Sequence, residues 1–269
     1  LGFANRLRYV WADARLQVDV TSVRSDTSDD RFFLVDPGFV FPVGATPDDR
    51  TFQFIKPAPT PDVANYLAGG KYDKDINEQF FWNAGASWDR NEDAGLLHRY
   101  IAFADVGNSW SDTNDRQFST SYGFSFTDRE EEAPDPEKDR RFGGARLGLD
   151  YLERLGAVTV FERDFTTNIN VANASDYSFN TTNAVTVSIT DNLSLKVSLQ
   201  LLYENEPALE TGLDVIAHAE LLDPDGIPGT GDELYQTVAS GGATLVLGSA
   251  NARKDSLDTV FRTALVISF

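Results

Sequence analysis

The chain has 269 residues, with 23 Lys and Arg against 42 Asp and Glu, a formal charge of −19. Such acidity excludes a nucleic-acid interface, which demands a basic surface, and zero Cys excludes disulfide frameworks, thiol nucleophiles and thiolate metal centres. With 41% hydrophobic and 12% aromatic residues the chain is too apolar for disorder, and no run approaches the roughly 18 apolar residues of a spanning helix.

In chain order the sequence reads as a series of hairpins. Leu1–Trp11 turns near Ala12-Asp13 into Arg15–Arg24. A long connection, Ser25 to Pro61, carries the apolar stretch FFLVDPGFVFPVG. Val63–Tyr72 then turns through Asp73-Lys74-Asp75 into Asn77–Trp88, and Tyr100–Trp110 turns through Ser111-Asp112-Thr113 into Gln117–Thr127. The run Asp128-Arg129-Glu130-Glu131-Glu132 opens the next connection and reads as a solvated rim. Phe142–Glu153 turns through Arg154-Leu155-Gly156 into Ala157–Thr167.

The next pair is the clearest. Tyr177, Phe179, Val185, Val187 and Ile189 share one face, Thr190-Asp191-Asn192 makes the turn, and Leu193, Leu195, Val197, Leu199, Leu201 and Tyr203 alternate with Ser194, Lys196, Ser198, Gln200, Leu202 and Glu204. After an insertion from Asn205 to Asp255, a last strand alternates from Leu257 to Phe269.

That makes about eleven strands of roughly ten to fourteen residues each. Their connections alternate short and long, which is the organisation of an all-β, transmembrane up-and-down antiparallel β-barrel. The expected arrangement is a single outer-membrane barrel over residues 1–269, with long extracellular loops at about 25–61 and 206–255. Trp11, Trp88, Trp110, Tyr72, Tyr151 and Tyr203 fall near strand ends, where aromatic girdles belong. Bacterial barrels close with an even strand count, so a twelfth strand is expected to precede Leu1 in the precursor. Lacking an initiating Met and a basic amino-terminal region, the chain reads as mature or truncated.

With the apolar face outward, Arg6, Arg8, Arg15, Asp19, Arg146, Asp150, Lys196, Glu204, Asp258 and Arg262 face the lumen. Both signs are present, so a paired, plugged interior and a selective pore are equally open. Within the insertion, Asp223, Asp225, Asp232 and Glu233 lie on a Gly-rich turn whose oxygens suit calcium. A solvated acidic turn is the plainer reading, since the spacing is not that of an EF-hand. Its flanks, Leu213–Leu222 and Leu234–Leu247, are apolar enough to form strands beyond the barrel, an inward plug or a docking surface. The two histidines, His98 and His218, are the only bases for a Ser/His/acid site, and no Ser or Asp is singled out as their partner.

The stretch Tyr177 to Glu206, containing VSITDNLSLKVSLQLLYENEP, together with the terminal FRTALVISF, resembles the salt-induced outer-membrane protein family. These YdiY-like proteins are catalogued as a domain of unknown function. The resemblance runs from about Arg141 to the end, interrupted by the insertion between Pro207 and Asp255, and extends loosely over Leu1 to Asp139. It implies an integral protein of the bacterial outer membrane, with short turns and termini periplasmic and long loops extracellular. Phe269 matches the terminal aromatic that such barrels present to their assembly machinery.

The resemblance carries no activity. The chain is therefore expected to be a non-enzymatic barrel: a narrow passive channel for small solutes or ions or, alternatively, a structural scaffold with a plugged lumen in an envelope complex. A barrel hydrolase is the distant third reading. Expected partners are outer-membrane lipid and lipopolysaccharide, the barrel-assembly machinery and another envelope protein bound through the long loops, with no nucleic acid.

Overall fold

A computed structural model describes residues 2–23, 32–42, 52–55, 65–91, 94–190, 192–222 and 234–267. They form seventeen strands. In order these are β1 (Gly2–Val10), β2 (Ala14–Val23), β3 (Phe32–Val35), β4 (Val40–Pro42), β5 (Phe52–Ile55), β6 (Asn65–Asp75), β7 (Phe80–Asn91), β8 (Leu96–Asp112) and β9 (Arg116–Glu131). Then come β10 (Arg141–Arg154), β11 (Thr159–Asn170), β12 (Tyr177–Thr190), β13 (Leu193–Glu204), β14 (Leu209–Leu222), β15 (Leu234–Thr237), β16 (Ala243–Arg253) and β17 (Leu257–Ile267).

Two compact units result. Residues Leu1–Arg24, Val63–Ala208 and Lys254–Phe269 make the first, and Ser25–Asp62 with Leu209–Arg253 make the second. The first holds an eleven-stranded antiparallel meander in the order β1-β2-β6-β7-β8-β9-β10-β11-β12-β13-β17. These are the eleven strands expected from alternation. Where one domain with two long loops was expected, the loop segments contribute the strands of the second unit. Its order is β4-β15-β14-β3-β5, with β16 on β14, around a small core of Phe33, Val35, Leu213, Val215 and Ala217.

One expected turn lies elsewhere. β6 continues through Asp73-Lys74-Asp75, and the chain reverses over residues 76–79. The Asn77 side chain fixes that reversal by accepting hydrogen bonds from the backbone N–H of Gln79 and Phe80, each at 2.9 Å. The acidic run at Asp128 is likewise not a rim, because β9 carries its alternation through to Glu131.

The meander is curled. Asn91 of β7 and Asp258 of β17 lie seven strands apart in the sheet order, about 33 Å in a flat sheet. Yet Asn91 Nδ2 donates to Asp258 Oδ2 at 2.9 Å. Arg99 of β8 meets Glu204 of β13 across five strands in the same way. The sheet therefore wraps around a lumen, as an all-β barrel does.

Its polarity is that of a soluble sheet reversed. One row in register, Trp82, Val106, Tyr122 and Leu147, is exposed. The adjoining row, Asn83, Asp105, Gly123 and Arg146, lies on the opposite face, with Asn83 and Asp105 buried. Phe124 is 76% exposed, while Thr127 on the inner face is 2% exposed.

Glycines let the inner layer close up. A Cβ at Gly123 would lie 2.1 Å from the Ala104 carbonyl oxygen and 2.6 Å from Asp105 Cα, whereas one at Gly143 would meet nothing within 4 Å. Gly123→Ala is expected to cost about 1–3 kcal/mol, because backbone must move. Gly143→Ala should be neutral or stabilising by up to about 1 kcal/mol, since Gly weakens a strand. Urea unfolding followed by Trp fluorescence compares the two.

Candidate functional site

The inner face of the barrel concentrates the charged chemistry of the described residues. Strand alternation places it there: every second residue of β6 to β13 points inward, and those positions carry Lys, Arg, Asp, Glu, Asn, Ser and Thr. Charges withdrawn from bulk water need partners, and the register supplies them.

The expected lumen charges can be placed one by one. Arg6 Nε donates to Asp19 Oδ1 at 2.6 Å across β1 and β2. In the same register Arg8 faces Gln17, and Arg15 faces Asp73 of β6. Arg146 pairs with Asp105 and lies 3.8 Å over the Phe103 ring. Asp150 is directly opposite Asp164. Lys196 pairs with Glu162, and Glu204 with Arg99. Asp258 accepts from Asn91, and Arg262 Nη1 donates to Gln200 Oε1 at 2.7 Å. Asp223, Asp225, Asp232, Glu233 and Phe269 lie outside the described residues.

The most densely paired layer sits at the end of the barrel with the longer connections, and sequence reasoning missed most of it. Arg99 holds Asp89 with a two-pronged contact, Nε to Oδ1 at 3.1 Å and Nη2 to Oδ2 at 2.9 Å, while its Nη1 reaches Glu204 on the far wall. Beside it, Arg129 binds Asp176 through two parallel hydrogen bonds of 2.9 and 2.8 Å. Asp176 also accepts from Asn170 Nδ2 at 3.1 Å. Lys138, from the β9–β10 connection, pairs with Glu131 and donates to the Glu206 carbonyl at 2.6 Å. Arg129, Glu131, Lys138 and Asp176 are all almost fully buried side chains.

The missed signal was the alternation itself. In Asp128-Arg129-Glu130-Glu131 the period of two continues: Arg129 and Glu131 are enclosed, and Asp128 meets Arg140 and Arg141 on the exposed side. Net acidity hid this, since a charge run resembles a solvated loop.

The two histidines have these contacts. His98 Nδ1 accepts from Trp88 Nε1 at 3.2 Å and its ring stacks near Tyr100. His218 Nδ1 lies 3.3 Å from Thr244 Oγ1 in the second unit.

Asp176 lies in the β11–β12 connection. Burial alone would raise its pKa, but the hydrogen bonds and charge of Arg129, the Asn170 amide and the charge of Lys138 outweigh that and hold it below the ordinary carboxylate value. A depressed carboxylate contributes stability in full above its unfolded pKa, near 4. That contribution falls away as pH drops through the lower folded value. Arg129→Met leaves Asp176 buried without its cation, so a loss of about 3–5 kcal/mol is expected at neutral pH. The gap between variant and native chain should narrow as the pH is lowered and Asp176 takes a proton. Denaturant midpoints from pH 7 to pH 3 read this directly.

No curated protein and no solved structure matches the chain. A family profile described as a protein of unknown function, DUF481, matches residues 2–214. The match takes in the amino-terminal half and stops short of β17. The chain thus belongs to the DUF481 family of proteins of unknown function.

Proposed function

We propose that the protein is an outer-membrane β-barrel whose lumen is closed by ion pairs, and that it acts as a structural anchor in the envelope rather than as an open pore. The reading is carried by one observation: the barrel turns its large apolar side chains to the exposed outer face and its charged ones to the inner face. In water each such exposed side chain would forgo about 1.5–3 kcal/mol of burial, a loss that an apolar solvent removes. The aromatic residues have the spacing this reading needs. On β8, Tyr100 and Trp110 are both exposed and ten residues apart, roughly 25 Å along the axis of a tilted strand, the height of the apolar band in such barrels.

Clusters mark both rims. Tyr9–Trp11, Tyr72–Trp82 and Phe118–Tyr151–Phe161 lie towards the short turns. Trp88–His98–Tyr100 and Tyr177–Tyr203–Phe179 lie towards the longer connections. The salt-induced outer-membrane grouping suggested by the sequence is the natural setting for a protein of this kind. In that setting the short turns are periplasmic and the longer connections extracellular.

Closure favours the scaffold over the channel. Arg99–Glu204 and Asn91–Asp258 both cross the lumen, each joining strands far apart in the sheet. Folded protein in a planar bilayer is expected to give no stable ohmic steps. A variant carrying Arg99→Ala with Glu204→Ala should give steps, because both members of the crossing pair are removed together. Steady conductance from the native chain would overturn the closed reading and return the narrow channel.

A further inference from the structure

Between the Arg99 pair and the Arg129 pair lies a small cavity of about 20 Å³. Its walls include both guanidinium groups, the carboxylates of Asp176 and Glu204, and the side chains of Thr127, Asn168 and Ser178. Two of those polar atoms have no hydrogen-bond partner within the protein: Thr127 Oγ1 and Asn168 Oδ1, both fully withdrawn from solvent. A buried hydroxyl or amide oxygen left without a partner is costly. Here two of them line the same small space.

Size and charge decide what the space takes. One water needs roughly 10–15 Å³ and two to four polar partners, and about 20 Å³ is the size for one water-sized occupant. The charged groups on the walls balance, two guanidinium groups against two carboxylates. An ion would upset that balance in a buried setting, where an uncompensated charge is strongly unfavourable. Water can donate to the Asn168 oxygen and exchange a hydrogen bond with the Thr127 hydroxyl; a cation could meet both oxygens only by adding a charge that the balanced walls leave uncompensated.

We infer that this cavity is a binding site for a single water molecule, held by Thr127 and Asn168, which ties the Arg99–Glu204 and Arg129–Asp176 pairs into one closing layer. The inference stands on the cavity and its oxygens, so it holds whether or not the barrel lies in a membrane.

The test is thermal unfolding of the folded chain, followed by its heat-dependent gel migration, for Thr127→Val, Asn168→Leu and the double variant. Each single variant should lower the midpoint by roughly 2–4 °C, the shift expected for one lost hydrogen-bonding group in a chain of this size. The double variant should fall little further, because both changes release the same water. Thr127→Ser, which keeps the hydroxyl, should stay near the native midpoint and guards against a packing effect at Thr127→Val. Midpoints that stay or rise in the single variants would overturn the site, as would additive losses in the double variant. Replacing sodium by ammonium, or chloride by sulfate, at constant ionic strength should leave the native midpoint unchanged. A shift abolished by Asn168→Leu would replace water with an ion and overturn the assignment.

Discussion

The constraint on which the first unit rests is the pairing of charge on the inner face of a curled sheet. A strand has two faces and a fixed period, so a chain that turns its apolar residues outward must turn its polar ones inward. Once inside, Arg, Lys, Asp and Glu hold together only if each meets an opposite charge or a hydrogen-bond partner. The register meets that demand by placing Arg6 against Asp19 on neighbouring strands and Arg146 within reach of Asp105 two strands away. Glycine supports it from behind: at Gly123 the neighbouring backbone approaches closer than any side chain would permit.

The pairing is uneven along the barrel, and beside the short β6–β7 turn Asp73 and Asn83 are buried. Towards the short turns Asp150 and Asp164 remain exposed, although both point inward. Towards the longer connections Asp89, Asn91, Thr127, Arg129, Asn170 and Asp176 are buried. The end with the longer connections holds a consolidated polar layer, built from two wall-to-wall contacts and two loop residues, Lys138 and Asp176. A closed end of this kind accounts for charged residues in such number without requiring that solutes pass them. Removing one partner strands the other, so single substitutions there are expected to be more damaging than paired ones.

Much of this was legible in the sequence, and for a physical reason. Alternation over ten or more residues is hard to produce except by a strand with two environments, so the eleven strands and their inward charges followed from residues such as Lys196 and Arg262. The closing layer did not follow. Arg129 and Glu131 sit in a run of charges that resembles solvent-facing loop, and Asp176 owes its role to a contact 47 positions away in the chain. The second unit was only partly legible: FFLV and Leu213–Leu222 are plainly apolar, but β14 pairs with β3 in parallel, across a long separation that no local pattern announces. The turn after β6 was misplaced because Asp73 and Asp75 are common turn residues, whereas Asn77 fixes the reversal.

Inverted polarity is the claim on which the rest depends, and the chain's lack of Cys makes it directly measurable. Single cysteines at Phe124 and Phe261, both exposed on the outer face, and at Ser121 and Ser198 on the inner face, would be labelled with a fluorophore in barrels folded into lipid vesicles. Brominated acyl chains should quench the label at positions 124 and 261 and leave that at 121 and 198 bright. Equal quenching at all four, or quenching confined to the Ser positions, would contradict a barrel that faces lipid with its apolar side.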